Sequence, residues 1–340
     1  MKKTLWAIVS LMASTSLQAV PMEDIPWLGQ VSPFALMELE IGYTDNADFV
    51  DGSASDLTVA TVAFGSQLTF DPQFSGVVSF LYEEDETDLE IDEAFITYRP
   101  ELYPPLTLTL GQTYVPFGAY NTALVNDTLI LELAETRETT AIAQWQQGPV
   151  SVSAFLFNGD TDGDDTLENG GISVDWTGGH SGAGIGWINN ILDSDGIGGT
   201  LADAAEVLAT ELVVNERVGA LIAHGHLRVA DFHLNGEYLA IDRISPRTTN
   251  VIASSIKPSA LQLEISTEVG QHIGVVAWQQ TDDAALLGLP ESRLSAGYRY
   301  VISAHATAAA EIWHDEDYSR REGGTGDQAN SLVLQLAFAY

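Results

Sequence analysis

From residue 32 to residue 340 the chain alternates large apolar residues with small or polar ones. Ala35, Met37, Leu39, Ile41 and Tyr43 share one face, against Glu38 and Glu40 on the other. Phe74, Gly76, Val78, Phe80 and Tyr82 form a second such set, and Leu106, Leu108 and Leu110 a third. The pattern is cleanest at the end. There Leu332, Leu334, Leu336, Phe338 and Tyr340 alternate with Ser331, Val333, Gln335, Ala337 and Ala339. A period of two is the period of a β-strand, one set of side chains to each face.

Read throughout, the alternation predicts strands at 32–45, 56–70, 73–86, 89–99, 105–116, 138–147, 149–158, 170–177, 182–190, 217–228, 231–243, 258–268, 271–281, 290–301, 305–316 and 329–340. Their connections alternate too. Asp71-Pro72-Gln73, Gln147-Gly148-Pro149, Val229-Ala230-Asp231 and Ser303-Ala304 are tight. Between them lie longer acidic or Gly-rich loops at 46–55, 117–137, 159–169, 191–216, 244–257, 282–289 and 317–328. Short turns at one end and long loops at the other, repeated over about 16 antiparallel strands, predict an all-β transmembrane barrel of the bacterial outer membrane. The large face meets lipid, and Tyr340 takes a place in the interfacial aromatic girdle. A soluble sandwich buries its apolar face and has no reason to alternate its loops this way.

The first nineteen residues read as a secretory signal. Lys2 and Lys3 precede the apolar run Leu5 to Met12, and Leu17-Gln18-Ala19 suits a cleavage site. Residues 20–340 then form a single barrel domain. The chain has no Cys, which excludes a lipoprotein anchor, disulfides and thiolate metal sites. Without Lys2 and Lys3, 11 basic residues face 48 acidic ones, a charge of −37, and Lys257 is the last lysine. Nucleic-acid binding needs clustered Lys and Arg and is excluded.

Charges on strands belong on the face away from lipid. This assigns Glu38, Glu40, Glu93, Arg99, Arg228, Glu237, Glu264, Arg293, Arg299 and Glu311 to the barrel interior. A barrel of about 16 strands is wide enough for an aqueous lumen, so these are the candidate pore-lining residues. The third external loop carries Phe117, Tyr120, Asp127, Glu132, Glu135 and Arg137. Either it folds inward as a constriction whose charges set ion preference, or it shields the rim. His224, His226 and His233 could meet in the lumen and bind a metal, although isolated wall histidines explain them better. Asn158 to Asp164 looks like half a calcium loop, but its twelfth position is Asn169 rather than a bidentate Glu. No catalytic set, cofactor or metal site is expected. There is no Gly-x-Ser-x-Gly elbow and no Ser/His pair at telling spacing.

Gly111-Gln112-Thr113-Tyr114-Val115-Pro116-Phe117-Gly118, then Leu129 to Thr139 and Phe157-Asn158-Gly159-Asp160, resemble the LbtU family of siderophore porins over 110–160. The family's Asp-Pro-Leu-Thr run is replaced here by Asp127-Thr128-Leu129-Ile130. The resemblance implies ferric-siderophore uptake through an outer-membrane barrel without a plug domain. The Gly-Gln-x-x-x-Pro-Phe stretch also resembles phosphate-selective porins O and P, whose basic lumen this chain lacks. The alternatives are a general cation-leaning diffusion pore and a structural or adhesive barrel. Expected partners are outer-membrane lipid and lipopolysaccharide, the barrel-assembly machinery through the last strand, a siderophore ligand and two further copies in a homotrimer.

Overall fold

The computed structural model describes residues 30–340 apart from 50, 51, 86, 160 and 162–166. The expected leader lies outside the described residues, as does most of the calcium-like stretch. Sixteen strands form the chain: β1 (Gln30–Asp45), β2 (Ser53–Thr69), β3 (Phe74–Glu83), β4 (Thr87–Tyr98), β5 (Leu106–Tyr114), β6 (Arg137–Gln147), β7 (Val150–Phe157), β8 (Asn169–Thr177), β9 (Ser181–Ile188), β10 (Ala220–Val229), β11 (Phe232–Ile241), β12 (Ser259–Val269), β13 (His272–Asp282), β14 (Ser292–Ser303), β15 (Ala306–Glu316) and β16 (Gln328–Ala339). Each pairs antiparallel with its sequence neighbours. β1 pairs with β16, Leu39 opposite Leu336 and Tyr43 opposite Leu332, and this closes the barrel. Hydrocarbon leaves no partner for a free amide, so only a closed sheet can span it.

The side-chain period sorts the two faces. Met37, Ile41, Phe64, Leu110, Leu221, Leu263, Leu294, Ile312, Leu334 and Phe338 are exposed on the outside, where lipid would meet them. Aromatic pairs mark the end of the wall that carries the short turns. Phe74 stacks on Tyr98 at 4.7 Å, His272 lies against Tyr298 and Tyr300, and Tyr340 lies 5.8 Å from the ring of His305. This is the girdle expected of such a barrel, and the four predicted tight turns lie at this end. The loop alternation has exceptions. β3 and β4 join through 84–86 at the long-loop end, and β4 and β5 through the broader turn 99–105 at the other.

Two departures from strict alternation matter inside. In β4 the register slips between Val78–Ala94 and Phe80–Ile91, so Asp92 and Glu93 together oppose Ser79. Such a bulge puts two consecutive side chains on one face. The Ser79 hydroxyl accepts the Glu93 N–H at 3.0 Å and donates to Asp92 at 3.1 Å. The second departure is helical. The third external loop (L3, residues 115–136) contains α1 (Leu129–Ala134), and the fifth (L5, 189–219) contains α2 (Asp195–Val207). Sequence reading treated both as loop. In α2, Ile197, Leu201 and Ala205 recur at helical spacing and are buried, and Ser194 caps the first turn by accepting the Ile197 N–H.

Candidate functional site

L3 leaves the barrel wall at β5 and crosses the interior. In a ring of 16 strands β5 lies opposite β13, and L3 docks on the strands around β13. Three wall carboxylates receive it. Glu237 on β11 accepts the main-chain N–H of Ala119 at 2.7 Å and of Tyr120 at 2.8 Å. Glu264 on β12 accepts the Thr122 hydroxyl at 2.6 Å and the Ala123 N–H at 3.1 Å. Glu311 on β15 accepts the N–H groups of Val125 at 2.6 Å and Asn126 at 3.0 Å. Gln279 on β13 accepts the Leu129 N–H at 2.7 Å, and Arg299 on β14 donates to the Leu124 carbonyl at 3.2 Å. L3 is irregular chain inside a barrel, and its free amides must find acceptors there. Ionised carboxylates are the strongest acceptors available.

Behind L3 the interior is dry. Phe117, Leu129 and Leu133 of L3 pack with Ile197 and Leu201 of α2 and with the inward residues Phe155, Phe157, Ile188, Ile222 and Leu239 of β7, β9, β10 and β11. The Ser194 hydroxyl donates to the Leu133 carbonyl and the Asp195 N–H to the Glu135 carbonyl, so α2 sits directly on α1. A Cβ at Gly196 would fall 1.6 Å from the Glu132 carbonyl oxygen, so only glycine permits this approach. At the external ends of β7 and β9–β11 the large-outside, small-inside pattern therefore fails: the inward residues are large because L3 and L5 cover them.

On the other side of L3 the wall is acidic. Glu38 and Glu40 on β1, Glu83 on β3 and Asp92 and Glu93 on β4 point inward. L3 brings Asp127, Glu132 and Glu135 to the interior. The Asp127 side chain is only 5% exposed, and its Oδ2 has no hydrogen-bond partner among the described residues. Burial, then neighbouring Glu135 and Glu132, pushes the Asp127 carboxyl well above the usual range. Burial raises Glu132 to about 7 against the opposing pull of Arg293, and burial raises Asp195 to about 6. Glu135 is pushed up by burial and by Asp195.

The arginines beside L3 are committed. Arg293 on β14 grips Asp315 through two bonds of 2.8 and 3.1 Å, lies 3.8 Å from Glu132 and stacks over Trp313. Arg137 bonds Glu90 and lies 3.4 Å from Asp92. Arg99, at the turn end, reaches only the Ser75 hydroxyl at 3.5 Å. Arg228 is exposed near the same end of β10.

All ten strand residues assigned to the interior from sequence do point inward or stand at an inward strand end, but they divide by role. Glu237, Glu264, Glu311 and Arg299 are covered by L3 and hold it. Arg293 holds α1. Glu38, Glu40 and Glu93 stand on the acidic wall, Glu40 accepting from Gln335 at 3.0 Å. In L3, Phe117 lies in the apolar cluster, and the Tyr120 hydroxyl donates to the carbonyls of Phe117 and Ala134. Asp127, Glu132, Glu135 and Arg137 stay near the acidic side. Sequence reading missed Glu83, Asp92, Gln279 and Asp195. The break in alternation at Asp92-Glu93 was the available signal for one of them. Of the three histidines, His224 is paired with Asp175 at 3.0 Å, and no group that could hold a metal occurs among the described residues.

No family model matches the chain. It is 28% identical over 253 residues to UPF0422 protein lpg2959 of Legionella pneumophila, covering 67% of this chain and 47% of that one. It is 26% identical over 334 residues to a UPF0422 protein of Coxiella burnetii, covering 90% of this chain and 68% of that one. The chain thus spans about half the length of the Legionella relatives it matches. Among solved structures it resembles the anion-selective porin of Comamonas acidovorans, with a TM-score of 0.64 and 10% identity over 91% of this chain and 99% of that one. It resembles the outer-membrane channel DcaP of Acinetobacter baumannii, with a TM-score of 0.65 and 12% identity over 92% and 97%. Salmonella typhi OmpF aligns with a TM-score of 0.63 and 9% identity over 95% and 100%. The fold is that of the outer-membrane porins. The wall, apolar outside and closed on itself, places the chain in the outer membrane of a Gram-negative cell.

Proposed function

We propose that this chain is a passive outer-membrane channel that prefers cations. The carrying observation is the charge imbalance across L3. Carboxyls of β1, β3 and β4 face those of L3 and outnumber the arginines among them: Arg137 pairs with Asp92, Arg293 with Asp315 and Glu132, and Arg299 bonds the Leu124 carbonyl. A passage walled by one sign of charge concentrates ions of the other sign. The porin-type fold supports passage rather than chemistry. Association as a homotrimer and contact with lipopolysaccharide and the assembly machinery belong to the same proposal. Ferric-siderophore uptake rests on the resemblance over residues 110–160 alone, and none of the relatives named above is named for a siderophore.

The test is single-channel recording of the refolded protein in a planar bilayer under a KCl gradient. The expected result is steady conductance with a reversal potential on the cation side. An anion-side potential sinks the preference, and a folded barrel without conductance sinks the channel. Titrating ferric siderophores into the same bilayer decides the narrower reading by whether the current blocks saturably.

A further inference from the structure

Below L3, towards the short-turn end, the β10–β12 wall holds a cavity of about 330 Å³. Its roof is L3 itself, at Asn121 and Thr122, and its wall carries His226, Arg228, His233 and Ser266. Register explains the grouping. Arg228 pairs with His233 and His226 with Asn235 across β10 and β11, and His233 pairs with Ser266 across β11 and β12. All these positions are inward. Facing and diagonal residues on adjacent strands lie close enough for long side chains to meet one ligand.

Neighbouring strands make room for them. A Cβ on Gly182 of β9 would lie 2.3 Å from the His226 ring, so the glycine lets that imidazole lie back against the wall. The charge balance inside the cavity is the reverse of that above L3. The one carboxylate there, Glu264, already accepts from Thr122, Ala123 and Asn235. Arg228 has no ion pair among the described residues, and neither His226 nor His233 has a side-chain hydrogen bond there. In a chain with 13 basic and 48 acidic residues, an unengaged guanidinium between two unengaged imidazoles requires a reason.

We propose that this cavity is a binding subsite for the carboxylate of a small solute, held by Arg228 and flanked by His226 and His233. Guanidinium takes carboxylate through a two-pronged bond, and imidazole adds a donor at each side. The volume is at the low end for small-molecule sites and admits a molecule of amino-acid or short dicarboxylic-acid size. Together with the acidic slot above, the pair of regions suits a zwitterion, its ammonium favoured at L3 and its carboxylate below it. That last step rests on the channel reading; the binding itself does not.

The test therefore reads binding without current. The full chain, folded in detergent micelles, is titrated with succinate while the histidine ring proton resonances are followed by NMR, with H226Q and H233Q supplying the assignments. The expected result is saturable movement of the His226 and His233 signals while the outward-facing His272 and His314 stay still. Arg228→Gln is expected to weaken the affinity about tenfold. Succinate that moves neither ring overturns the subsite, as does unchanged affinity in Arg228→Gln. A channel without conductance would remove the transit role and leave this result standing.

Discussion

The two halves of the barrel interior are built from the same alternating strands and do opposite things. From β7 to β11, at the external end, inward positions carry Phe155, Phe157, Ile188, Ile222 and Leu239, sealed under L3 and α2. From β1 to β4 they carry Glu38, Glu40, Glu83, Asp92 and Glu93. An inward position is thus neither polar nor apolar by rule. Its chemistry follows what covers it. L3 divides the halves: it spends its amides on Glu237, Glu264 and Glu311 and its apolar side chains on the dry cluster, and leaves Asp127 and Glu135 facing the acidic wall.

The strongest way to break this division is to remove the three anchors together. In Glu237→Ala/Glu264→Ala/Glu311→Ala, six donors of L3 lose their acceptors. Each bond to a charged group contributes about 1.5–3 kcal/mol, far more in sum than a loop's closure can offset. L3 is expected to leave the opposite wall, and single-channel conductance to rise at least about twofold, as a constriction of this kind controls flow. Retained heat-modifiable mobility on a gel would show that the barrel itself still closes. Unchanged conductance in a folded triple variant would mean that the anchors do not hold the constriction.

The second test attacks the dry half. Phe117 is 1% exposed at the centre of the apolar cluster. Truncation of a buried Phe to Ala costs about 3–5 kcal/mol. In Phe117→Ala, hydrogen exchange is expected to quicken across α1 and α2 together and to leave the β1–β16 seam protected. Exchange that quickens in the seam as well would show that the plug and the wall unfold as one unit.

The contrast between the halves also marks where sequence reading succeeded. The barrel was legible because lipid imposes one rule on the outer face of all sixteen strands, and no predicted end is displaced by more than three residues. The inward direction of Glu237, Glu264 and Glu311 was legible for the same reason. Their role was not, because each is decided by a loop segment more than a hundred residues away: Ala119 for Glu237, Thr122 for Glu264, Val125 for Glu311. Phe155 and Phe157 alternate with Ala154 and Leu156, so size alone could not say which pair faces lipid. Helix α2 was visible in principle, since Ile197, Leu201 and Ala205 stand four apart behind a Ser cap.

The third test sharpens the acidic half. Burial holds the protons of Asp127 and Glu135 well above the usual carboxylate range, so Asp127→Asn/Glu135→Gln removes two charges from L3, without removing volume, only in recordings made on the alkaline side. A charge about 10 Å from an ion in water contributes about 0.4 kcal/mol, a factor of about two for the cation and the inverse for the anion, so the pair should lower the cation-to-anion permeability ratio by at least about fourfold. Reversal potentials in a KCl gradient would show it. An unchanged ratio would place the selectivity on the β1–β4 wall instead.

The smallest effect is the pH dependence of the same half. Glu132 and Asp195 hold their protons up to about pH 7 and about pH 6 in the folded chain, against ordinary values of 4.5 and 3.8. In the window between those values the folded state binds more protons than the unfolded one, so stability of the L3–L5 contact falls as pH rises through it. Below about pH 4 both states are protonated and the groups contribute nothing. Above about pH 7 both carboxylates are charged and the cost is complete. The same titration adds negative charge beside the slot. Raising the pH from 5 to 8 should therefore raise cation preference by about twofold while exchange at α1 and α2 quickens. Glu132→Gln/Asp195→Asn should flatten both responses together. If the variant loses the exchange response and keeps the full selectivity response, the charge that ions feel lies on Asp92 and Glu93 of the wall, and L3 serves only to bring that wall close.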